Sequence, residues 1–337
     1  MRIEQLRQRL RDHGAKSGHE ARVLRAWLHN RPLESGPVAA EHALPLRLRH
    51  DLPALAGDLA GLVRLASRHP GQDGSVRLLL ALGDGQTVES VLLPRDGLCV
   101  STQVGCAVGC TFCMTGRDGL LRQLTSGEIV AQLVLARQQR TVNKVVFMGM
   151  GEPAHNIDNV MEAIELLGTA GGIGHKNLVF STVGDRRVFE RLPRGPVKPA
   201  LALSLHTTDP ELRVRLLPRA PRLTPAELVD AGDRYARDTG YPIQYQWTLI
   251  AGVNDGDAEM VALARLLKGR YGLINFIPYN PAEGGGFQRP DAVRLQAIET
   301  LLRGEGILVK FRQSAGQDID GGCGQLRARS QATHPCR

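Results

Sequence analysis

Four of the six cysteines of this 337-residue chain fall between positions 99 and 113. Cys106, Cys110 and Cys113 stand four and then three apart in "CAVGCTFC", and Cys99 lies seven positions upstream. Thiols at this density can ligate metal, exchange electrons, or simply pack along one face of a helix. Gly105 and Gly109 argue against the helix, because an internal glycine costs about 1 kcal/mol relative to alanine. A loop wrapped around a compact object suits them better. Structural zinc takes four ligands, and no other Cys or His is near enough to complete the set. An iron–sulfur cluster held by three thiols leaves one iron open to a small molecule.

The elements around this stretch are those of an α/β protein. Residues 1–70 read as a small helical N-terminal domain: "IEQLRQRLRDHG" ends on Gly14 and "HEARVLRAWLHN" ends before Pro32, each with apolar residues at helical spacing. Residues 71–97 read as a β-hairpin extension turning at Gly83-Asp84-Gly85. From Leu98 to about residue 327, apolar runs such as "KVVFMG", "NLVFST", "ALALSL", "IQYQWTLI", "LINFIP" and "ILVKFR" alternate with helical patterns. "SGEIVAQLVLARQQR" and "DAEMVALARLLKGR" read as amphipathic helices. Repeated βα units mean a parallel sheet, closed or open, with chemistry at the strand C-termini. Those ends carry Gly151-Glu152, Ser181, Ser204-Leu205-His206 and Asn280. "EGGGF" at 283–287 reads as a mobile loop and 328–337 as a C-terminal tail.

Composition narrows the class. The chain is 42% hydrophobic and 23% charged, with no run of about 18 apolar residues and no signal-like apolar N-terminus, so a cytoplasmic location is expected. Bunched cysteines in a reducing compartment favour metal or catalysis over a disulfide scaffold. The net charge of +8 is carried mainly by arginine, the lysines being Lys16, Lys144, Lys176, Lys198, Lys268 and Lys310. Arginine suits phosphate, and the clusters Arg186, Arg187, Arg191, Arg194 and Arg213, Arg215, Arg219, Arg222 make nucleic acid a candidate partner.

CxxxCxxC in a loop after the first βα-type strand resembles the cluster motif of radical S-adenosylmethionine (SAM) enzymes. The resemblance covers almost the whole chain. "CVSTQVGCAVGCTFCMTGRDGLLRQLTSGEIVAQ", "VVFMGMGEPAHNIDNV", "LALSLHTTDPELR", "GVND", "NFIPYNP" and "GQDIDGGCGQL" are similar to successive motifs of the RlmN/Cfr family of adenine methyltransferases. It implies a partial (β/α)6 TIM-type barrel and a 4Fe-4S cluster on Cys106, Cys110 and Cys113. It also implies two SAM molecules per turnover, an electron donor such as flavodoxin or ferredoxin, a monomeric enzyme, and rRNA or tRNA as substrate.

Adenine ring carbons are poor nucleophiles, and the family answers with protein thiols. By resemblance, Cys323 carries the methyl group as S-methylcysteine, and Cys99 resolves the RNA adduct through a transient disulfide with Cys323. Glu89 in "QTVESVLLP" aligns with the proton acceptor. The SAM pocket falls to Gly151, Glu152, Ser181, Ser204, Leu205, His206 and Asn280. Cys336 matches no family position.

Some positions depart from the family pattern. Gly321-Gly322 replace two alanines before Cys323, Ser314-Ala315 replace basic residues, "LLPRAP" replaces a Pro-Ile-Asn stretch, and Gln246 stands where an acidic residue is usual. They bear on substrate rather than cluster chemistry. Carbon 2 of adenine is the expected target, with Pro153 after Glu152 resembling that branch. Carbon 8, or an iron–sulfur RNA-binding protein without methyl transfer, are the alternatives.

Overall fold

The first three helices, α1 (Ile3–Asp12), α2 (Ser17–Leu28) and α3 (Leu46–Gly61), bury a leucine-rich face that includes Leu6, Leu10, Leu24, Leu28, Leu48 and Leu55. The computed structural model describes residues 1–36, 43–281 and 286–328. Helix gives way to strand earlier than expected. Val63–Pro70 forms β1, pairing antiparallel with β2 (Val76–Leu82), which pairs with β3 (Thr87–Leu92). Charge in "VRLASRHP" masked its strand character: this edge strand buries only Val63 and leaves most other residues exposed or half-exposed. The Gly83–Gly85 turn joins β2 to β3, with Gly85 at φ +85°.

β4 (Gly97–Cys99) is the pivot. It pairs antiparallel with β3 on one side and parallel with β7 on the other. After it come the short pair β5 (Gln103–Gly105) and β6 (Leu120–Gln123), then α4 (Ser126–Gln139), β7 (Lys144–Phe147), α5 (Ile157–Gly168) and β8 (Leu178–Thr182). The series continues through α6 (Arg186–Arg191), β9 (Ala200–Ser204), α7 (Pro210–Leu216), α8 (Pro225–Thr239) and β10 (Ile243–Leu249). It closes with α9 (Asp257–Leu267), β11 (Gly272–Pro278), α10 (Ala292–Gly304) and β12 (Val309–Phe311). The sheet runs β1-β2-β3-β4-β7-β8-β9-β10-β11-β12, parallel from β4 onward. Six βα units plus a final strand make the α/β radical-enzyme barrel that the motifs implied, open rather than closed. Side chains from β7 to β11 line one cavity, so the sheet must curl.

Helix α4 is not amphipathic in place. Thr125 and Glu128 form its capping box, and residues 126–136 are buried on every side. The N-terminal helices cover the face that would otherwise meet water: Ile3 N–H donates to Ser126 Oγ at 2.8 Å, and a Cβ on Gly127 would meet the Met1 carbonyl at 2.4 Å. Of "EGGGF", residues 283–285 lie outside the described residues, as does Cys336 in the tail.

Candidate active site

Residues 106–113 form no helix; the loop leaves β5 and returns at β6. Two glycines permit this path. Gly105 has φ +76°, and a Cβ there would sit 2.0 Å from the Gly119 carbonyl; Gly109 has φ +66°. Backbone bonds Cys106 N to Gly119 O at 2.9 Å and Thr111 N to Leu216 O at 3.0 Å fix the loop, while Val108 packs with Leu212 and Leu216 of α7. Cys106, Cys110 and Cys113 all line one cavity. Burial pushes the Cys106 thiol up to about 12 and raises Cys110 and Cys113 as well, each pair adding mutual repulsion. Buried thiols of this kind ionise only beside a cation. The three thiols face one cavity from a single loop, a donor set of the kind that holds an iron–sulfur cluster.

The strand ends supply the cavity's polar wall. Gly151 has φ +101°, and a Cβ there would lie 2.5 Å from Gln103 Cβ. Gln103 Oε1 accepts from Glu152 N–H at 2.7 Å, binding this turn to β5. The Glu152 carboxylate accepts from the Ala154 and Val183 amides, each at 3.0 Å, and burial lifts its pKa to about 7. Ser181, Ser204 and His206 line the same cavity, as does Gln246, whose Oε1 is buried without a partner. Leu205 is fully buried outside the lining and contributes its carbonyl to Arg213.

His206 occupies a left-handed conformation, φ +61°. Asn254 holds it there, its Nδ2 donating to the carbonyls of His206 and Thr248 at 2.8 Å each. Thr248 N–H donates to His206 Nδ1 at 2.9 Å, so the ring proton sits on Nε2. Burial, then the Arg213 charge, pushes His206 down to about 3; it is neutral. Its ring leans on Phe112 of the cysteine loop, centroids 4.9 Å apart. Arg213 is buried and donates to the carbonyls of Ser204 (2.9 Å), Leu205 (2.5 Å) and Val183 (2.5 Å).

Cys323 arrives from the far end of the chain. It lines the cavity with the three loop thiols; Asn280 Nδ2 donates to its carbonyl at 3.0 Å, and Met114 N–H donates to the Gly324 carbonyl at 2.7 Å. Asn280 stands behind this segment rather than in the cavity lining, with its Oδ1 unpartnered. Cys99 is buried beneath, near enough for its charge and that of Cys323 to repel, and burial drives its pKa to about 12. All five described cysteines are free thiols. Glu89 is buried away from the cavity lining: it pairs with Arg77, and its Oε2 accepts from the Arg327 and Ala328 amides at 2.8 and 2.9 Å.

Residues 100–264 match the model of the radical SAM superfamily. A probable RNA methyltransferase from Aromatoleum aromaticum is 69% identical over 98% of this chain and 93% of its own length. One from Methylibium petroleiphilum is also 69% identical, over 98% of this chain and 94% of its own. A radical SAM methyltransferase from Sphaerobacter thermophilus has a solved structure that superposes with a TM-score of 0.83, at 36% identity and 98% coverage of both chains. The chain belongs to the radical SAM RNA methyltransferase family. Membership in that family brings a 4Fe-4S cluster and SAM, and the thiol trio with its open polar wall fits them. Gln103, Thr248, Asn254 and Arg213 are the contributors that sequence reasoning left unassigned; "GVND" marked Asn254 without a role. Arg213 also corrects the basic-cluster reading, since it is buried in the wall, and Arg187 and Arg191 are paired with Asp185 and Asp158. Arg215, Arg219 and Arg222 remain exposed, and Arg219 lies against the cysteine loop, donating to the Ala107 carbonyl at 3.1 Å.

Proposed function

We propose that this radical SAM enzyme methylates carbon 2 of an adenosine in rRNA or tRNA through a methyl group carried on Cys323. One observation supports this above all: Cys323, distant in sequence, lines the same cavity as the three cluster thiols, with Cys99 buried close by. Cys106, Cys110 and Cys113 would hold the cluster, which would supply the electron for reductive cleavage of SAM. Glu152 and the Gly151 backbone bind the methionyl amino group, and Ser181, Ser204 and His206 contact the rest of SAM, with Leu205 and Asn280 fixing that wall. A first SAM would pass its methyl to the Cys323 sulfur and leave as S-adenosylhomocysteine, and the radical cleaved from a second would remove a hydrogen from this methyl. The Cys323 methylene radical would then add to the adenine ring, the adduct returning one electron to the redox chain that began the reaction and giving its ring proton to Glu89 once the 327–328 amides leave that carboxylate. Cys99 attacks Cys323 Sγ, the carbon–sulfur bond breaks towards the base, and the new disulfide is reset by a reductant. Arg215, Arg219 and Arg222 meet the RNA phosphates. The enzyme works as a cytoplasmic monomer fed by a flavodoxin- or ferredoxin-type donor.

The test is mass-spectrometric mapping of methylated adenines in rRNA and tRNA from cells with and without this protein. A 2-methyladenosine lost with the gene is the expected result. An 8-methyladenosine, or no change, would reject the carbon-2 assignment.

A further inference from the structure

The catalytic cavity lies at the C-terminal ends of the strands, and a larger one of about 750 Å³ lies at their N-terminal ends. Lys144 is the first residue of β7, Lys176 sits in the turn before β8, and Lys310 and Arg312 come from β12 and the residue after it. In register, Gln246 of β10 pairs with Asn275 of β11, and Asn275 pairs with Lys310 of β12. Residues paired this way share a face, so the two cavities are opposite ends of one lumen.

The charge of this second cavity is not neutralised. Half of the chain's six lysines line it, in a protein whose basic residues are otherwise mostly arginine. Arg303 is a further cation, and the one lining carboxylate, Glu299, is already paired with it at 2.7 Å. Among the described residues the side chains of Lys144, Lys176, Lys310 and Arg312 make no ion pair and no hydrogen bond. Burial and the Arg312 and Lys310 charges lower the Lys144 pKa, against a smaller opposing effect from Asp96 than from Arg312. Asn275 is 3% exposed and lines the cavity, and among the described residues its side-chain amide makes no hydrogen bond. Lys310, Arg312 and Arg303 stand exposed at its mouth, where water and salt screen their mutual repulsion, and an anion bridging them would relieve what remains.

We propose that this cavity is a binding site for a small phosphorylated polyanion, an oligophosphate or nucleoside oligophosphate, held by Lys144, Lys310 and Arg312 with Asn275 at its floor. Several cations approaching from different strands match an anion with many oxygens, and the Arg312 fork can engage two of them at once. Tyr241 on the wall offers an aromatic face to a base. A recess at the strand starts, at the other end of the lumen from Cys323, admits a small ligand more readily than a structured RNA backbone. This inference is independent of which base the enzyme methylates.

The test is calorimetry of the full, cluster-loaded chain with inorganic tripolyphosphate at low ionic strength. One saturable site per chain is expected, with weaker binding of inorganic phosphate. Lys310→Gln combined with Arg312→Gln should weaken it by at least about tenfold at an unchanged melting temperature. Lys176→Gln, exposed in its turn, gives a second reading should the double variant fold poorly, with a loss of about threefold. No saturable binding, or binding that both variants retain in full, overturns the proposal. A single-stranded RNA that displaces tripolyphosphate and binds more weakly to the double variant overturns the small-ligand assignment.

Discussion

Asn280 donates from one amide nitrogen to both the Cys323 carbonyl, at 3.0 Å, and the Ser314 hydroxyl, at 2.8 Å. The loop that follows β11 thereby holds the backbone of the proposed methyl carrier. Asn280→Ala removes both bonds while leaving the three cluster thiols untouched. Cluster content should be unchanged and SAM cleavage should persist, while methyl transfer to RNA falls by about 100-fold because the carrier is misplaced. Iron analysis, 5′-deoxyadenosine yield and methylation measured on one preparation separate these outcomes.

Cys323→Ala removes the carrier itself. Anaerobically reconstituted variant should retain about four irons per chain and still cleave SAM on reduction. RNA methylation should vanish, and methylation that survived would eliminate Cys323 from the mechanism.

Cys99→Ala should trap RNA covalently on the protein, visible as a shifted band that nuclease shortens. Burial places the Cys99 thiol near 12, so at neutral pH it is protonated and its thiolate fraction grows about tenfold per pH unit. In wild type, the decay of the adduct should therefore quicken between pH 7 and 9. A pH-independent decay would assign resolution to another group.

Gly151→Ala places a Cβ 2.5 Å from Gln103 in a backbone with φ +101°. The turn must move, at a cost on the order of 1–3 kcal/mol. Its displacement carries Glu152 with it, so SAM affinity measured by equilibrium dialysis should drop by tenfold or more while iron content holds.

His206 fixes a window of acid sensitivity. Its pKa is depressed to about 3 in the folded protein, against an ordinary value of 6.5. Unfolded chains therefore bind a proton that the folded site refuses, and this contribution to stability is lost as pH falls from about 6.5 towards 3. His206→Asn tolerates the left-handed backbone and keeps an acceptor for Thr248 N–H. Its urea midpoint should decline less steeply than wild type between pH 6.5 and 5, whatever its value at neutrality.

Much of this arrangement was legible in the chain because local chemistry dictated it. Gly105 and Gly109 announced a loop, and the apolar runs from Lys144 to Phe311 announced their strands. What failed depended on distant partners. Helix α4 reads as amphipathic until α1 and α2 cover it, and Val63–Pro70 reads as helical until β2 supplies its hydrogen bonds. Gln103 and Arg213, and Asn254 beyond its place in "GVND", carry no signal of their role, since each works by bonding backbone groups that only the fold brings near. Glu89 shows the converse: its motif marks a proton acceptor, yet its carboxylate is occupied by Arg77 and two amides.

The segment around Cys323 is held on both sides of the thiol, by Gln325 at the Gly322 amide, by Asn280 at the Cys323 carbonyl and by Met114 at the Gly324 carbonyl. Only the side chain is left loose. A methyl group riding on that sulfur would move between donor, base and resolving thiol by rotation about one or two bonds, within nanoseconds, with no swing of the loop. The carrier would behave as a crank on a fixed axle, and the backbone movement that the proposed chemistry calls for would lie beyond it, where residues 327 and 328 release Glu89.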